Sequence, residues 1–111
     1  MASNYKVLGQ AAPVLGVDTI IYTVPASSSA VVSTVSICNR SSNAVSMIDI
    51  AVVRSGETLS AKHYIAFQQF IQSRSSINKT LGITLAAGDT IVVNSDSGNE
   101  SFSVFGNEIT V

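Results

Sequence analysis

Hydrophobic positions along this chain recur mainly at every second residue, the spacing of a strand with two distinct faces. The longest such stretch is Ala30 to Arg54, AVVSTVSICNRSSNAVSMIDIAVVR, in which two runs rich in Val, Ile and Thr flank the polar segment Asn39 to Asn43. Neither run contains Gly or Pro, so nothing in them interrupts a strand, and the pattern predicts a central hairpin. On its first strand Val31, Val35 and Ile37 share one face, while Val32, Thr34 and Cys38 share the other. On its second, Ile48, Ile50 and Val52 face one way and Met47, Ala51 and Val53 the other. Apolar residues on both faces place these strands inside a layered structure.

The remaining runs are shorter. Tyr5 to Leu8 reads as a short strand or an arm, and Gly9, Pro13 and Gly16 make 10–17 an irregular connection. Asp18 to Val24 is a clear strand ended by Pro25. His63 to Phe67 is read as a strand over a helical turn because of its aromatic and β-branched content, and Gln68 to Ser75 as a polar connection. Ser76 to Thr84 alternates, with Ile77, Lys79, Leu81 and Ile83 on one side. Leu85 to Asp89 is a turn, Thr90 to Asn94 a compact strand, and Ser95 to Asn99 a hairpin loop leading into Glu100 to Thr110. Turn signals spaced like this predict an all-β chain, a single antiparallel β-sandwich or jelly-roll-like domain of about seven or eight strands. The expected division is an N-terminal arm at 1–17 and the sandwich at 18–111.

Composition sharpens the expectation. Of 111 residues, 46% are hydrophobic but only 12% are charged, about half the usual charged share. Serine and threonine supply the polar surface, which suits a chain packed against neighbours more than a free monomer. A net charge of -1, with Lys and Arg scattered singly, provides no electrostatic basis for binding nucleic acid or an anionic membrane. The start MASNYKVLGQ lacks the charged and apolar regions of a signal peptide, so secretion by that route is not expected and the chain is expected to be made inside the cell.

The chemistry-bearing residues are few. The lone histidine, His63, has Glu57 and Asp49 as its nearest acids in sequence, and no Gly-x-Ser-x-Gly elbow is present. A hydrolytic triad needs far more geometry than this, so His63 is expected to be a packed or surface side chain and the protein not to be an enzyme. Cys38, within an apolar strand, is expected to act as a small hydrophobe. One Cys and one His fall short of a zinc site, and Asn94 to Glu100 fits a plain turn better than a calcium loop. No cofactor and no metal are therefore expected. Among the aromatics, Tyr22, Phe67 and Phe102 are assigned to the core. The candidate partner contacts are Tyr5, Val7 and Leu8 on the arm, and Tyr64, Phe70 and Phe105 beside polar segments or opposite core positions.

Several stretches together resemble a family of small virion structural proteins of tailed bacteriophages. They are Tyr22-Thr-Val-Pro-Ala26, Ala30-Val-Val-Ser-Thr-Val-Ser-Ile-Cys-Asn-Arg40, Lys62-His-Tyr-Ile65, Leu81-Gly-Ile-Thr-Leu-Ala-Ala-Gly-Asp89 and Phe102-Ser-Val-Phe-Gly-Asn-Glu-Ile109. Their order and spacing span nearly the whole chain after residue 18. The resemblance implies a location in the virion, after synthesis in the host bacterial cytoplasm, and supplies no catalytic residues. Its sharper form is a capsid decoration (cement) protein, bound as a homo-oligomer, with a trimer favoured, over junctions between capsomers. Its partners would be the major capsid protein or other virion proteins. The alternatives are a tail, baseplate or fibre adaptor and, from another class, a carbohydrate-binding module.

Overall fold

The structure is a computed structural model that describes residues 2–110; the outermost residues of the expected arm and sandwich, Met1 and Val111, lie outside it. Eight strands form in chain order: β1 (Ala2–Ala11), β2 (Thr19–Thr23), β3 (Ser28–Asn39), β4 (Ser46–Val53), β5 (Tyr64–Ile71), β6 (Ser76–Leu85), β7 (Thr90–Ser95) and β8 (Glu100–Thr110). A 3-10 turn, Ala61–His63, precedes β5. The strands make two four-stranded antiparallel sheets, β1-β8-β3-β6 and β2-β7-β4-β5. The pairs β1–β8, β2–β7, β3–β6 and β4–β5 nest inside one another, as in one long hairpin rolled up on itself. Rolling brings β3 against β8 and β4 against β7, which completes the sheets. This is a jelly roll, as the turn spacing predicts.

The nesting overturns two local expectations. β3 and β4 do not pair, because they belong to opposite sheets, and 40–45 crosses the sandwich between them. Likewise 95–99 carries the chain from β7 in one sheet to β8 in the other. Of all the connections, only that from β4 to β5 stays within a sheet. Two further boundaries move. The irregular N-terminal segment shrinks to 12–18, since residues up to Ala11 pair with β8. The expected polar connection at 68–75 contains the end of β5, where Ile71 is buried.

The core lies between the sheets. It is built from Val32, Val35 and Ile37 of β3, Ile48 and Ile50 of β4, Ile91 and Val93 of β7, and Phe102 and Val104 of β8. Each such side chain contributes about 1.5–3 kcal/mol when removed from water. Ile48, Ile50 and Val52 do share the inner face, and Ala51 and Val53 form a second small cluster with Val92 on the outer face. On β3 the expected faces are wrong from Val31 to Val32. A register shift between Val32 and Thr34 leaves Ser33 unpaired, and an extra residue reverses the alternation on one side of it. Val32 therefore joins Val35 and Ile37 inside, and Val31 points out with Thr34 and Cys38.

One end of the sandwich is closed by buried polar side chains. Asn39 and Glu100 are opposite each other on β3 and β8, and both are fully buried. Asn39 donates through Nδ2 to the Ala44 and Ile71 carbonyls at 3.0 and 2.9 Å, while its Oδ1 accepts from the Ser41 N–H at 2.9 Å. Glu100 accepts from the hydroxyls of Ser46 and Ser95, and from that of Ser97 at 3.3 Å. The crossing loops at 40–45 and 95–99 are thus pinned to one buried cluster. Among the described residues no buried side-chain polar atom lacks a partner.

Close backbone approach fixes two glycines. A Cβ on Gly9 would overlap the Ile21 carbonyl of β2, and one on Gly106 would overlap the Val31 carbonyl of β3. Gly106→Ala is expected to lower the free energy of unfolding by about 2 kcal/mol or more, because backbone must shift to relieve the overlap. Glu100→Ala strips the buried Ser46 and Ser95 hydroxyls of their acceptor and is expected to cost about 2–4 kcal/mol. Glu100→Gln, which keeps one acceptor oxygen, should cost less. Urea unfolding of the three variants beside the wild type checks both; an unchanged Glu100→Ala midpoint would refute the role given to this carboxyl.

Candidate interaction surfaces

Register decides which side chains leave the β1-β8-β3-β6 sheet on its outer side. On β8 these are Ser101, Ser103, Phe105, Asn107 and Ile109, because Glu100, Phe102, Val104, Gly106 and Glu108 point inward or to the margin. Across from them stand Ser3, Tyr5, Val7 and Gln10 on β1 and Ser29, Val31, Thr34, Ser36 and Cys38 on β3. On β6 the outer row is Ser76, Asn78, Thr80 and Thr84. No residue of these four rows carries a charge. The charged residues of the same strands, Lys6, Lys79, Glu100 and Glu108, all stand in the inner rows.

Within this face Val7 and Phe105 are direct cross-strand partners, and Tyr5 and Val31 flank Asn107 one step along. Tyr5 is 84% exposed and Val7 48%. A shallow depression of about 220 Å³ lies beside them, lined by Tyr5, Val31, Ser33, Gly106 and Asn107. Around this apolar centre the polar residues bond to one another: Ser3 Oγ donates to Asn107 Oδ1 at 2.9 Å and Gln10 Nε2 to Ser103 Oγ at 3.2 Å.

One charged link adds to the backbone pairing of β1 with β8. Glu108 accepts from Lys6 Nζ at 3.0 Å and from Tyr22 Oη at 2.6 Å, which ties β1 and β8 to β2 in the opposite sheet. These hydrogen bonds, Tyr22 first, hold the Glu108 carboxyl below the ordinary glutamate range. Burial, and then the Glu108 partner, raise the Tyr22 phenol well above its ordinary value, so it stays a donor.

A second apolar patch lies on β5, at the margin of the other sheet. Ile65, Phe67 and Phe70 are exposed there, and the Tyr64 and Phe67 rings meet edge to face at 4.9 Å. Ser60, Ala61, Tyr64 and Phe67 line a cleft of about 530 Å³. Phe67, expected in the core, is 60% exposed. The cause is a break in the pairing of β5 with β4: Gln68 takes a left-handed conformation, φ 50°, and its N–H bonds Asp49 Oδ1 at 2.7 Å in place of the ladder.

Of the residues expected to touch partners, Tyr5, Val7 and Phe105 come together on the uncharged face, and Phe70 is exposed on β5. Tyr64 is half-buried against Ala51, Val53 and Val92 while still lining the cleft. Leu8 differs: it packs against the core, because the register shift between Val7 and Gly9 turns it inward. Val31, Phe67 and Ile65 also belong to these surfaces, and no signal in the sequence marks them as contacts. Cys38 is exposed rather than packed, since it falls in the outer row of β3.

The loop 54–63 gathers the one histidine with Glu57 and Ser60. His63 is buried; its Nδ1 accepts from the Ser60 N–H at 2.9 Å, so the neutral ring carries its proton on Nε2 and donates to Glu57 at 2.8 Å. This hydrogen bond, aided by Lys62, lowers the Glu57 carboxyl from its usual value. Ser60 Oγ lies 3.4 Å from Nδ1, but that lone pair is already occupied by the backbone N–H. The trio caps a turn and has no free base to activate the hydroxyl. In the segment 94–100, Asp96 Oδ1 accepts from the Met47 N–H at 2.9 Å and Glu100 is buried among serines.

The lowered Glu108 value has a pH consequence. A depressed folded-state value adds stability that is present above the unfolded value, about 4.5, and is lost as pH falls through the folded one. Thermal melts should therefore show the gap between wild type and Glu108→Gln widest near neutrality and closing in acid. A gap independent of pH would show the link to be structural only. No protein-family model matches this chain, and neither does any curated protein.

Proposed function

We propose that this chain is a non-enzymatic structural protein of a phage virion, a capsid decoration protein that stabilises the head by binding across capsomer junctions. The observation that carries the reading is the broad outer face of β1-β8-β3-β6, which bears hydroxyls, amides and an apolar centre but no charge. Charged side chains keep sheet faces in water, and a face without them is suited to burial against protein. The β5 patch gives the same rigid sandwich a second apolar surface on the other sheet. A subunit with two such surfaces can bridge two neighbours, which is the task of a cement protein. The uncharged face serves contacts within the oligomer, and the β5 patch, with Phe67 and Phe70, faces the shell.

Two further points support the reading. Viral shell subunits use jelly rolls, as do lectins and cupins; this is analogy at the level of fold, and the fold alone does not choose among them. The resemblance of its sequence stretches to phage virion proteins is what supports the first. Quantitative mass spectrometry of purified virions against the major capsid protein tests it. A ratio near one to one, or a simple fraction such as one third, is the expected result. A handful of copies would replace decoration with a tail or neck adaptor, and absence from the particle would overturn both.

A further inference from the structure

We infer that the outer face of β1-β8-β3-β6 is the contact between two copies of this chain, related by a two-fold axis lying in the plane of the interface and running across the strands. The inference puts a two-fold pair in place of the trimer that the resemblance implies, and it rests on the face itself.

Edge-to-edge association is obstructed at each of the four sheet margins. β1 has Lys6 at its middle and a register shift at Leu8, and β6 carries Lys79 and sits opposite the Ser33 bulge. β2 has five residues and a shift of its own, and β5 is broken twice in its pairing with β4. Central lysines, short strands and bulges are the devices that keep sheet edges from extending into another chain. Association is therefore left to the faces, and the face without charge is the one that loses least when dried.

The occupant follows from charge, area and shape. A charged partner would leave its own groups desolvated and unpaired here, whereas a second copy of the same surface brings none. Four strands of ten to twelve residues cover about 35 by 19 Å, or about 650 Å². Two such faces together reach about 1,300 Å², within the range of specific interfaces. The side chains are also sorted by size along the strands. The row of Val7, Phe105, Thr34 and Thr80 lies midway, with the bulkier Tyr5, Val31 and Ile109 on one side of it and Ser36, Cys38 and Ser101 on the other. A two-fold axis across the strands turns one copy end for end. Phe105 and Val7 then meet their own counterparts at the axis, and Val31 of each copy faces Ser36 of the other, the self-complementarity that an isologous interface requires.

Sedimentation velocity of the isolated protein over a dilution series tests this without any particle present. The expected species is a dimer of 11.6 kDa chains. Phe105→Asp, Ser103→Lys and Thr80→Asp should each weaken it at least about tenfold in Kd, while Phe70→Asp on the opposite sheet should leave it unchanged. Circular dichroism confirms that each variant is folded; Ser103 and Thr80 are outer-row polar residues whose replacement leaves the core intact. A monomer at about 100 µM, a trimer, or a dimer indifferent to charge on this face would overturn the inference. A monomer in solution that is still abundant in virions would sink the pair and spare the virion reading. A dimer missing from virions would do the reverse.

Discussion

Strand β8 is hydrogen-bonded along its length to β1 on one side and β3 on the other, and the rest of the molecule depends on that double pairing. Its inner row supplies Phe102 and Val104 to the core, Glu100 to the buried polar cluster and Glu108 to the link with Lys6 and Tyr22. Its outer row supplies Phe105, the centre of the uncharged face. Gly106 lies where β8 and β3 approach too closely for any side chain. Core, closure and surface are therefore coupled through one eleven-residue segment. Because β1 and β8 come from opposite ends of the chain, this pairing is the most non-local in the fold. Closing such a long loop carries the largest loop-closure entropy of any pairing in the fold.

Bulges are the second organising feature. A shift of one residue exchanges the faces of a strand, and here shifts occur in β1, β2, β3 and β5. They turn Leu8 inward and Val31 outward, and they leave Phe67 exposed beside Tyr64. The same irregularities spoil the sheet edges as templates for another strand. One device thus shapes the surface and restricts how copies can meet.

Charge is distributed to match. Glu108 neutralises Lys6 at the sheet margin, Asp89 accepts from the N–H groups of Ser55 and Ala86 in the loops, and Glu57 holds His63. Acidic side chains are spent on fixing backbone and loops, which leaves the broad sheet face to hydroxyls and amides. The low charged fraction seen in composition holds for both sheets: in the strands of the other sheet only Asp49 is charged.

The amino-acid sequence alone determined the fold class, since period-two apolar runs of five to twelve residues, separated by Gly, Pro, Asn and Ser, can be buried only as strands of a sandwich. It also determined that Tyr5, Val7, Phe70 and Phe105 are surface candidates, because each is apolar beside polar neighbours or opposite a core position. Only the tertiary structure decided which strands pair. The Asn39–Asn43 and Ser95–Asn99 segments are as turn-rich as a hairpin loop, yet both cross between sheets, because the buried side chains of Asn39 and Glu100 anchor them to the sandwich end. Faces beyond a bulge were equally illegible: parity is local information, and the unpaired residue that resets it at Ser33 or Gln68 is created by a partner strand far away in sequence. The uncharged face follows from those decisions, since it exists only when four strands align so that every charge among them falls in an inner row.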